Sequence, residues 1–524
     1  MLRHCSKTRF LLPGTLLLLA GCRVGPKYVK PTVPAPPAYK EVAPDAYKSA
    51  VDGTTPSGMW KPAQPGDAMI KGKWWEIFKE PELNALEEQV NINNQNIAQY
   101  FQNFMAARAQ VREARSNYYP TVGTAPSYSR SRSPGTLRGV SVANTSTSGT
   151  GTATGTVASS GSTSTELALP IDVSWEPDLW GRIRNEVREY QYAAQVSAAD
   201  LENERLTEQA DLAEYFFELR GQDALQDLYN QTVDLDKKTL ELTKALVETG
   251  IDSQQQAEEA EITLHDAEEV AAGIAANRAL YEHAIATLIG KPASSFSLPV
   301  RSLTATPPPI PIGVPSQLLQ RRPDVAAAER TMAEANALIG FEKAAYYPTL
   351  SLTGSGGLES SMIQTLFTSP AFFWSLGASA AETIFDGGLR NATVAQSTAQ
   401  FNSDIAGYKQ TVLTAFEQVE DYLATLRVTS EQIVRQQKAI EAAERSLKLE
   451  NVRYQTGVDP YVDVLDAQNT LLGDRQIQVG LRVSEMTAAI GLVQALGGGW
   501  DASQLPTPAG VTAKSTPGQV ANTP

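Results

Sequence analysis

Between Leu167 and Glu176 the apolar and polar positions alternate strictly. Leu167, Leu169, Ile171, Val173 and Trp175 fall on one side, and Ala168, Pro170, Asp172, Ser174 and Glu176 on the other. A period of two over this length predicts a strand with one greasy and one mostly polar face. Some 9 to ~11 residues suffice for a tilted strand to cross a membrane between lipid and a lumen, although the same pattern fits a half-buried strand of a soluble sandwich. Residues 120–134 and 166–177 read as one hairpin. Leu350 and Leu352 open a second alternation in 348–357, and the Ala- and Ser-rich stretch 374–385 gives a weaker fourth strand. Four strands cannot close a barrel, since the smallest bacterial ones need about eight.

On either side of the strands the period changes. Residues 82–117 and 324–345 are helix-compatible and close on Tyr-Tyr-Pro, because Pro biases its predecessor away from helix. Asn185 to Thr249 is 65 residues with one Gly and no Pro, and Asn391 to Thr456 is 66 with the same property. Helices of that length run to nearly ~100 Å. Leu225, Leu228, Thr232, Leu235, Thr239, Leu242 and Leu246 alternate steps of three and four, and Ile433, Ile440, Leu447 and Tyr454 step by seven. Heptad spacing predicts lateral packing. Each long helix ends in Thr-Gly-x-Asp, where Gly250 or Gly457 supplies the C-cap geometry, and a return helix follows over 254–289 or 461–496.

The chain is written twice. Tyr118-Tyr119-Pro120-Thr121 recurs as Tyr346-Tyr347-Pro348-Thr349 at an offset of 228, and Thr249-Gly250-Ile251-Asp252 recurs as Thr456-Gly457-Val458-Asp459 at 207. The fall in offset fits the Gly/Ser/Thr-rich tract Ser141 to Thr165, present in the first half alone and read as an exposed loop. The organisation that follows is a signal at 1–21, an N-terminal segment at 22–80, repeats at 81–290 and 317–498, a Pro-rich linker at 291–316 and a disordered tail at 499–524.

Residues 1–21 hold Arg3, Lys7 and Arg9, then the apolar stretch Phe10 to Leu19, then Ala20-Gly21, the layout of an export signal. Leu19-Ala20-Gly21-Cys22 looks like a bacterial lipobox, which makes Cys22 the lipidated first residue. Formal charge is −14, from 44 basic and 58 acidic residues, which disfavours nucleic acid as a partner. With 3 His and 2 Cys, none at ligand spacing, no metal or redox cofactor is expected; the covalent lipid on Cys22 is the one non-protein group. An exported chain with four membrane-type strands and very long helices closes by oligomerisation. Three copies give twelve strands without free edges and pack the helices into a tube.

Several motifs together carry a family resemblance: the lipobox with Gly25-Pro26-Lys27-Tyr28, Trp74-Trp75 with Phe78, Pro81 and Leu83, Arg321-Arg322-Pro323-Asp324-Val325, and Phe385-Asp386-Gly387-Gly388. Over about residues 19–500 the chain resembles the TolC-like outer-membrane efflux proteins, in the lipoprotein (NodT-type) branch that serves resistance-nodulation-division pumps. The resemblance implies a mainly α channel-tunnel, a trimer with a twelve-stranded β-barrel in the outer membrane and a coiled α-helical barrel in the periplasm. It implies a periplasmic membrane-fusion adaptor and an inner-membrane transporter as partners, and drugs or other small amphiphilic compounds as cargo. The outer component of a type I protein-secretion system would share that fold, and a lipid-anchored coiled-coil stalk or adhesin would share the helices and the anchor.

Asp463 and Asp466 lie three apart on the second return helix, hence on one face, and threefold symmetry makes six carboxylates of them. Two acids at a helix start also serve as partners for its dipole. The resemblance implies that they form the entrance constriction and that Tyr454 helps to latch the coils. Two departures bear on the latch: Gln256 stands where an acid is implied, and Asp459 where some relatives carry arginine. Trp74 and Trp75 read as an anchor of the N-terminal segment rather than a stacking site. His265 and His283 lack catalytic partners at a usable spacing, and Gly354-Ser355-Gly356 reads as a strand turn rather than a nucleophile elbow. No catalytic residue is expected.

Overall fold

The computed structural model describes residues 24–32, 35–36, 39–41, 72–134, 162–250, 253–310, 315–456 and 458–513. The export signal, Cys22, most of the Gly/Ser/Thr-rich tract, Gly457 and residues 514–524 lie outside the described residues. After a 3₁₀ turn at Trp74–Phe78 come α1 (Pro81–Asn93), α2 (Gln95–Ser116), β1 (Thr121–Thr124), β2 (Ser127–Ser133) and β3 (Ser162–Trp175). Two long helices follow, α3 (Arg182–Glu248) and α4 (Gln254–Leu288). The second half runs through α5 (Pro315–Arg321), α6 (Pro323–Ala344), β4 (Thr349–Ser360), β5 (Phe372–Ala381), α7 (Leu389–Gln455) and α8 (Tyr461–Ala495), with a final turn α9 (Pro508–Thr512). The two outgoing helices are 67 residues each and the two return helices 35 each, so the repeat holds element by element.

Where one helix is expected over 82–117, Asn94 divides it into α1 and α2. Its Oδ1 accepts from the amides of Asn96 and Ile97 at 2.8 and 3.1 Å, and its Nδ2 donates to Glu208 Oε2 at 2.7 Å and to the Leu288 carbonyl at 3.0 Å. A buried amide that caps one helix and bridges two others outweighs continuation of the helix. Asp178 and Asp386 start the long helices alike. Asp178 accepts from the amides of Ile183 and Arg184, and Asp386 from those of Gly388 and Arg390.

The chain divides into two compact units. The first holds the sheet, which is antiparallel throughout, in the order β1-β3-β4-β5 with β2 also paired to β3. β1 and β2 keep one continuous register on β3, from Thr121 opposite Ser174 to Ser133 opposite Ser162, so they are one strand broken at Ala125-Pro126. Pro126 has no amide hydrogen for the ladder. Four strand columns result. Directly paired residues share a face. One face therefore carries Val122, Tyr128, Leu167, Leu169, Ile171, Val173, Trp175, Leu350, Leu352, Leu358, Phe372, Trp374 and Leu376. The other carries Ser129, Asp172, Ser174, Thr353, Ser355, Ser375 and Ser379, with Phe373 as an exception.

The apolar face is uncovered: Ile171, Trp374 and Leu376 are 55%, 69% and 81% exposed. Gly354 and Gly356 do not form the strand turn that the sequence suggests. They lie inside β4 opposite Leu376 and Trp374, which fill the space above them. β5 ends at Ala381, short of residue 385, because Asp386 and its neighbours are already committed to starting α7. Since Thr121 pairs with Ser174, Trp175 with Leu352 and Thr349 with Ala381, the four junctions to α2, α3, α6 and α7 lie at one end of the sheet. In the same unit Gly25 (φ +126°) lets the N-terminal segment approach α6, since a Cβ there would lie 2.7 Å from Gly340 Cα.

The second unit is helical. Its core packs Trp74, Trp75, Phe78 and Leu83 against Phe216, Phe217 and Leu219 of α3, Val419 and Leu426 of α7 and Ile490 of α8. Trp74 Nε1 donates to Gln209 Oε1 at 3.1 Å, so the tryptophan pair anchors the chain. Asp223, fully buried, accepts from Arg220 at 2.9 Å, from Arg278 at 2.6 Å and from the Arg301 amide at 2.9 Å, fixing the linker onto α3 and α4. Along α7 the seven-residue step reaches back from Ile433 to Leu426, Val419 and Val412, all on the packed side.

In α3 the packed stripe is Tyr229, Asp236, Leu240 and Thr243, while Leu235 and Leu242 are 45% and 52% exposed. Of the leucine heptad read from sequence, Leu225 packs against the Tyr229 cluster, while Leu235 and Leu242 lie off the face that this chain buries. Residues 502–513 are ordered rather than a free tail: Val511 is buried against Val111 and Ala194, and the Arg108 guanidinium donates to the Val511 and Ala513 carbonyls at 3.2 and 2.6 Å.

Gly491 of α8 faces Tyr422 of α7 so closely that a Cβ would lie 2.3 Å from the ring. Gly491→Ala is expected to destabilise the protein by about 1–3 kcal/mol through overpacking. Thermal unfolding followed by circular dichroism at 222 nm should show a lowered midpoint.

Candidate functional site

The seam of α7 is apolar from Val412 to Leu447, with a parallel line through Tyr408, Ala415, Tyr422, Thr429, Gln436 and Ala443. The next member of that second line is Glu450. Its carboxylate and those of Asp459 and Asp463 place oxygens within 4.8 Å of one another. Like charges that close repel, and one cation answers them: Arg453 Nη2 donates to Asp459 Oδ1 at 2.9 Å, and its Nε pairs with Oδ2. Asp463 sits in the first turn of α8, its amide bonded to the Pro460 carbonyl at 3.2 Å. Asp463 is half-buried and Asp466 exposed. Both line one open cleft of about 440 Å³ with Glu450, Arg453, Asp459 and Thr470.

Tyr454 lies elsewhere. Its ring meets that of Tyr461 at 5.3 Å and 53°, in an apolar cluster with Leu240, Ala260, Leu264, Val464 and Leu465 that joins both helical pairs. Tyr461 is buried, which pushes its phenol up to about 12. Gly250 takes φ +74° at the end of α3, as its turn requires. Gly457 and Cys22 fall outside the described residues.

Both departures at the tip have local roles. Gln256 forms a capping box with Ser253 at the start of α4, accepting from the Ser253 amide at 3.0 Å while its own amide reaches Ser253 Oγ. Asp459 is the partner of Arg453.

Two carboxylates of this region escaped the sequence reading. Glu450 was legible as the seventh residue after Ala443. Asp236 stands 207 residues before Ala443, on the same seam of the first repeat. It is 5% exposed, its Oδ2 has no hydrogen-bond partner, and desolvation raises its acid from 3.8 to about 6. It borders a cavity of about 230 Å³ with Tyr229, Asp266, Gln468 and Arg475, and Gln468 Oε1 is likewise without a partner.

The family model described as outer membrane efflux protein matches residues 86–291 and 314–498. The chain is 28% identical over 500 residues to the antibiotic efflux pump outer membrane protein ArpC of Pseudomonas putida, covering 94% of this chain and 96% of that one. It is 30% identical to the outer membrane protein OprJ of Pseudomonas aeruginosa, over 93% of this chain and 94% of the relative. Among solved structures, the outer-membrane channel OprN superposes with a TM-score of 0.78 at 26% identity, covering 91% of this chain and all of that one. The CmeC outer membrane channel of Campylobacter jejuni gives 0.77 at 19% identity, over 92% and 96% of the two chains, and shares the fold.

With its acid raised to about 6 against 3.8, folded Asp236 binds its proton more tightly than the unfolded chain does. Its contribution to stability is therefore greatest below about pH 4 and is lost as pH rises through about 6. Asp236→Asn should leave stability unchanged at pH 4 and raise it by about 1–2 kcal/mol at pH 7.5, allowing for partial solvation. Urea unfolding at the two pH values measures the difference.

Proposed function

The chain belongs to the outer membrane efflux protein family, and from that premise we propose that three copies assemble into a passive exit duct, the outer-membrane component of an efflux pump for small amphiphilic compounds. The sheet carries this reading. Its uncovered apolar face, its polar opposite face and its two edge columns describe one third of a barrel rather than a finished domain, and three such arcs give twelve strands with no free edge. Among the described residues no helix is long and apolar enough to cross a membrane. The four helices that join the sheet do so at one end, and the helical part stands in the periplasm, where an adaptor and an inner-membrane transporter engage it. The names of relatives, antibiotic and toluene efflux pump proteins, support small amphiphilic cargo over exported polypeptides. A stalk or adhesin has no use for a two-faced sheet.

The duct works without catalysis and without a cofactor. Its work is done by shape and charge: the polar sheet face lines the lumen, and the carboxylates of Asp463 and Asp466, with Glu450 behind them, ring the periplasmic entrance. Six or more acids around a narrow axis admit cations and restrain the passage of larger solutes. A lipid on Cys22 holds the N-terminal segment at the inner surface of the outer membrane, since several acyl chains together make a lasting anchor.

Two outcomes follow. Asp463→Ala combined with Asp466→Ala should raise single-channel conductance in planar bilayers and weaken cation selectivity; unchanged conductance and selectivity would remove these residues from the gate. Cys22→Ser should abolish labelling of the protein by radioactive palmitate in cells, and undiminished labelling would place the lipid elsewhere.

A further inference from the structure

The ladder assigns two charged residues to the wrong face for a lumen. Arg130 pairs with Thr165 and Arg132 with Thr163, in the register that sets Tyr128 opposite Leu167. Both arginines therefore project on the side of Leu167, Leu169, Ile171, Val173 and Trp175, the side read above as facing lipid. They follow Tyr128 by one and two steps of that face, about 7 and 13 Å along the strand. This is the sheet end opposite the four helix junctions, hence the outer end of the barrel. Both side chains are exposed, and neither makes an ion pair or side-chain hydrogen bond with another described residue. The acids near them in the sheet cannot neutralise them, because Glu166 and Glu359 pair with Ser129 and Ala168 and so point to the polar face.

A guanidinium held at the rim of an apolar band carries an unbalanced charge in a medium of lowered dielectric, and an oxyanion relieves it. Two forks on alternate residues of one strand, flanked by the Thr163 and Thr165 hydroxyls, suit a group with several clustered oxygens. The aromatic ring of Tyr128 directly below marks the level where hydrocarbon gives way to head groups. We propose that Tyr128, Arg130 and Arg132 form an outward-facing binding site for the phosphate groups of anionic glycolipid in the outer leaflet, so that the barrel is ringed by bound lipid phosphate at three equivalent places. The inference rests on the duct reading given above, because it takes the apolar face as the lipid face.

The test compares the wild-type protein with Arg130→Gln/Arg132→Gln and Arg130→Lys/Arg132→Lys, purified in the same mild detergent. Native mass spectrometry counts bound bis-phosphorylated lipid A, with dephosphorylated lipid A and inorganic phosphate as separate probes, and conductance and oligomeric state are recorded on each preparation. The expected result is binding of bis-phosphorylated lipid A about tenfold weaker in the Gln variant, between the two in the Lys variant, and little difference among the three proteins with the dephosphorylated lipid. Equal binding of the phosphorylated lipid by conducting trimers of all three overturns the inference and leaves the duct standing. Inorganic phosphate that occupies wild type as well as the lipid does also overturns it, since the site would then read a free anion. A wild-type preparation that neither trimerises nor conducts overturns the duct reading and the inference together.

Discussion

A backbone amide that faces hydrocarbon has no water to turn to, and each one left unpaired costs several kcal/mol. The sheet has two rows of such groups, one along the β1/β2 column and one along β5. Nothing within the chain's described residues covers them. That constraint decides the level at which the protein becomes stable, because the edges are satisfied only when β5 of one copy meets β1/β2 of the next. It also explains the composition of the strands. Val, Leu, Ile and Trp on one side and Ser, Thr and Asp on the other would also serve a soluble sandwich, but no second layer among the described residues covers the apolar side, so they suit an arc with lipid outside and water inside. The placement of the helices follows from the same register, since an antiparallel sheet of four columns returns all four helix junctions to one end.

The helices meet a different requirement. They stand in water, so their cohesion comes from a narrow apolar seam, and the seam weakens toward the tip. Val412, Val419 and Leu426 are fully buried, Ile440 nearly so, and Leu447 and Tyr454 only half-buried. On the parallel line Glu450 follows Ala443, and Asp459, Asp463 and Asp466 gather beside it. The α7 seam thus loosens where the carboxylates of Glu450, Asp459 and Asp463 gather.

The long elements were legible because length and punctuation leave little choice: 65 residues with no Pro can hardly be anything but helix, and strict alternation in Leu167 to Trp175 can hardly be anything but strand. Comparing the halves revealed the repeat. Which side of α3 faces inward was not legible from its leucines, because a heptad pattern in one helix marks a stripe without saying what lies against it, and Leu235 and Leu242 proved exposed. Transferring the Ile440 and Leu447 register across the 207-residue offset selects Val233 and Leu240, the stripe that is in fact packed. The division at Asn94 depended on partners more than a hundred residues away, Glu208 and Leu288, and no local pattern announces those. At the tip, Asp463 and Asp466 stood out by spacing, whereas Glu450 and Asp236 required the seam to be known first.

On the proposed gate reading, the contacts at the tip set how hard it is to open. Gln256 is spent on capping its own helix. The Arg453–Asp459 pair has its guanidinium about half exposed, a setting in which ion pairs contribute about 0.2–1 kcal/mol. The Tyr454–Tyr461 ring contact adds about 0.5–1.5 kcal/mol beyond burial. Each is a contact within one copy, and together they amount to a few kcal/mol, against repulsion among clustered carboxylates that works the other way. An adaptor of micromolar affinity has about 8 kcal/mol of binding free energy. Only the part that distinguishes the open from the closed tip counts toward opening, but a modest fraction of it matches what these contacts supply. A duct closed this weakly, as proposed, needs no energy source of its own; it needs a partner that binds the open tip better than the closed one.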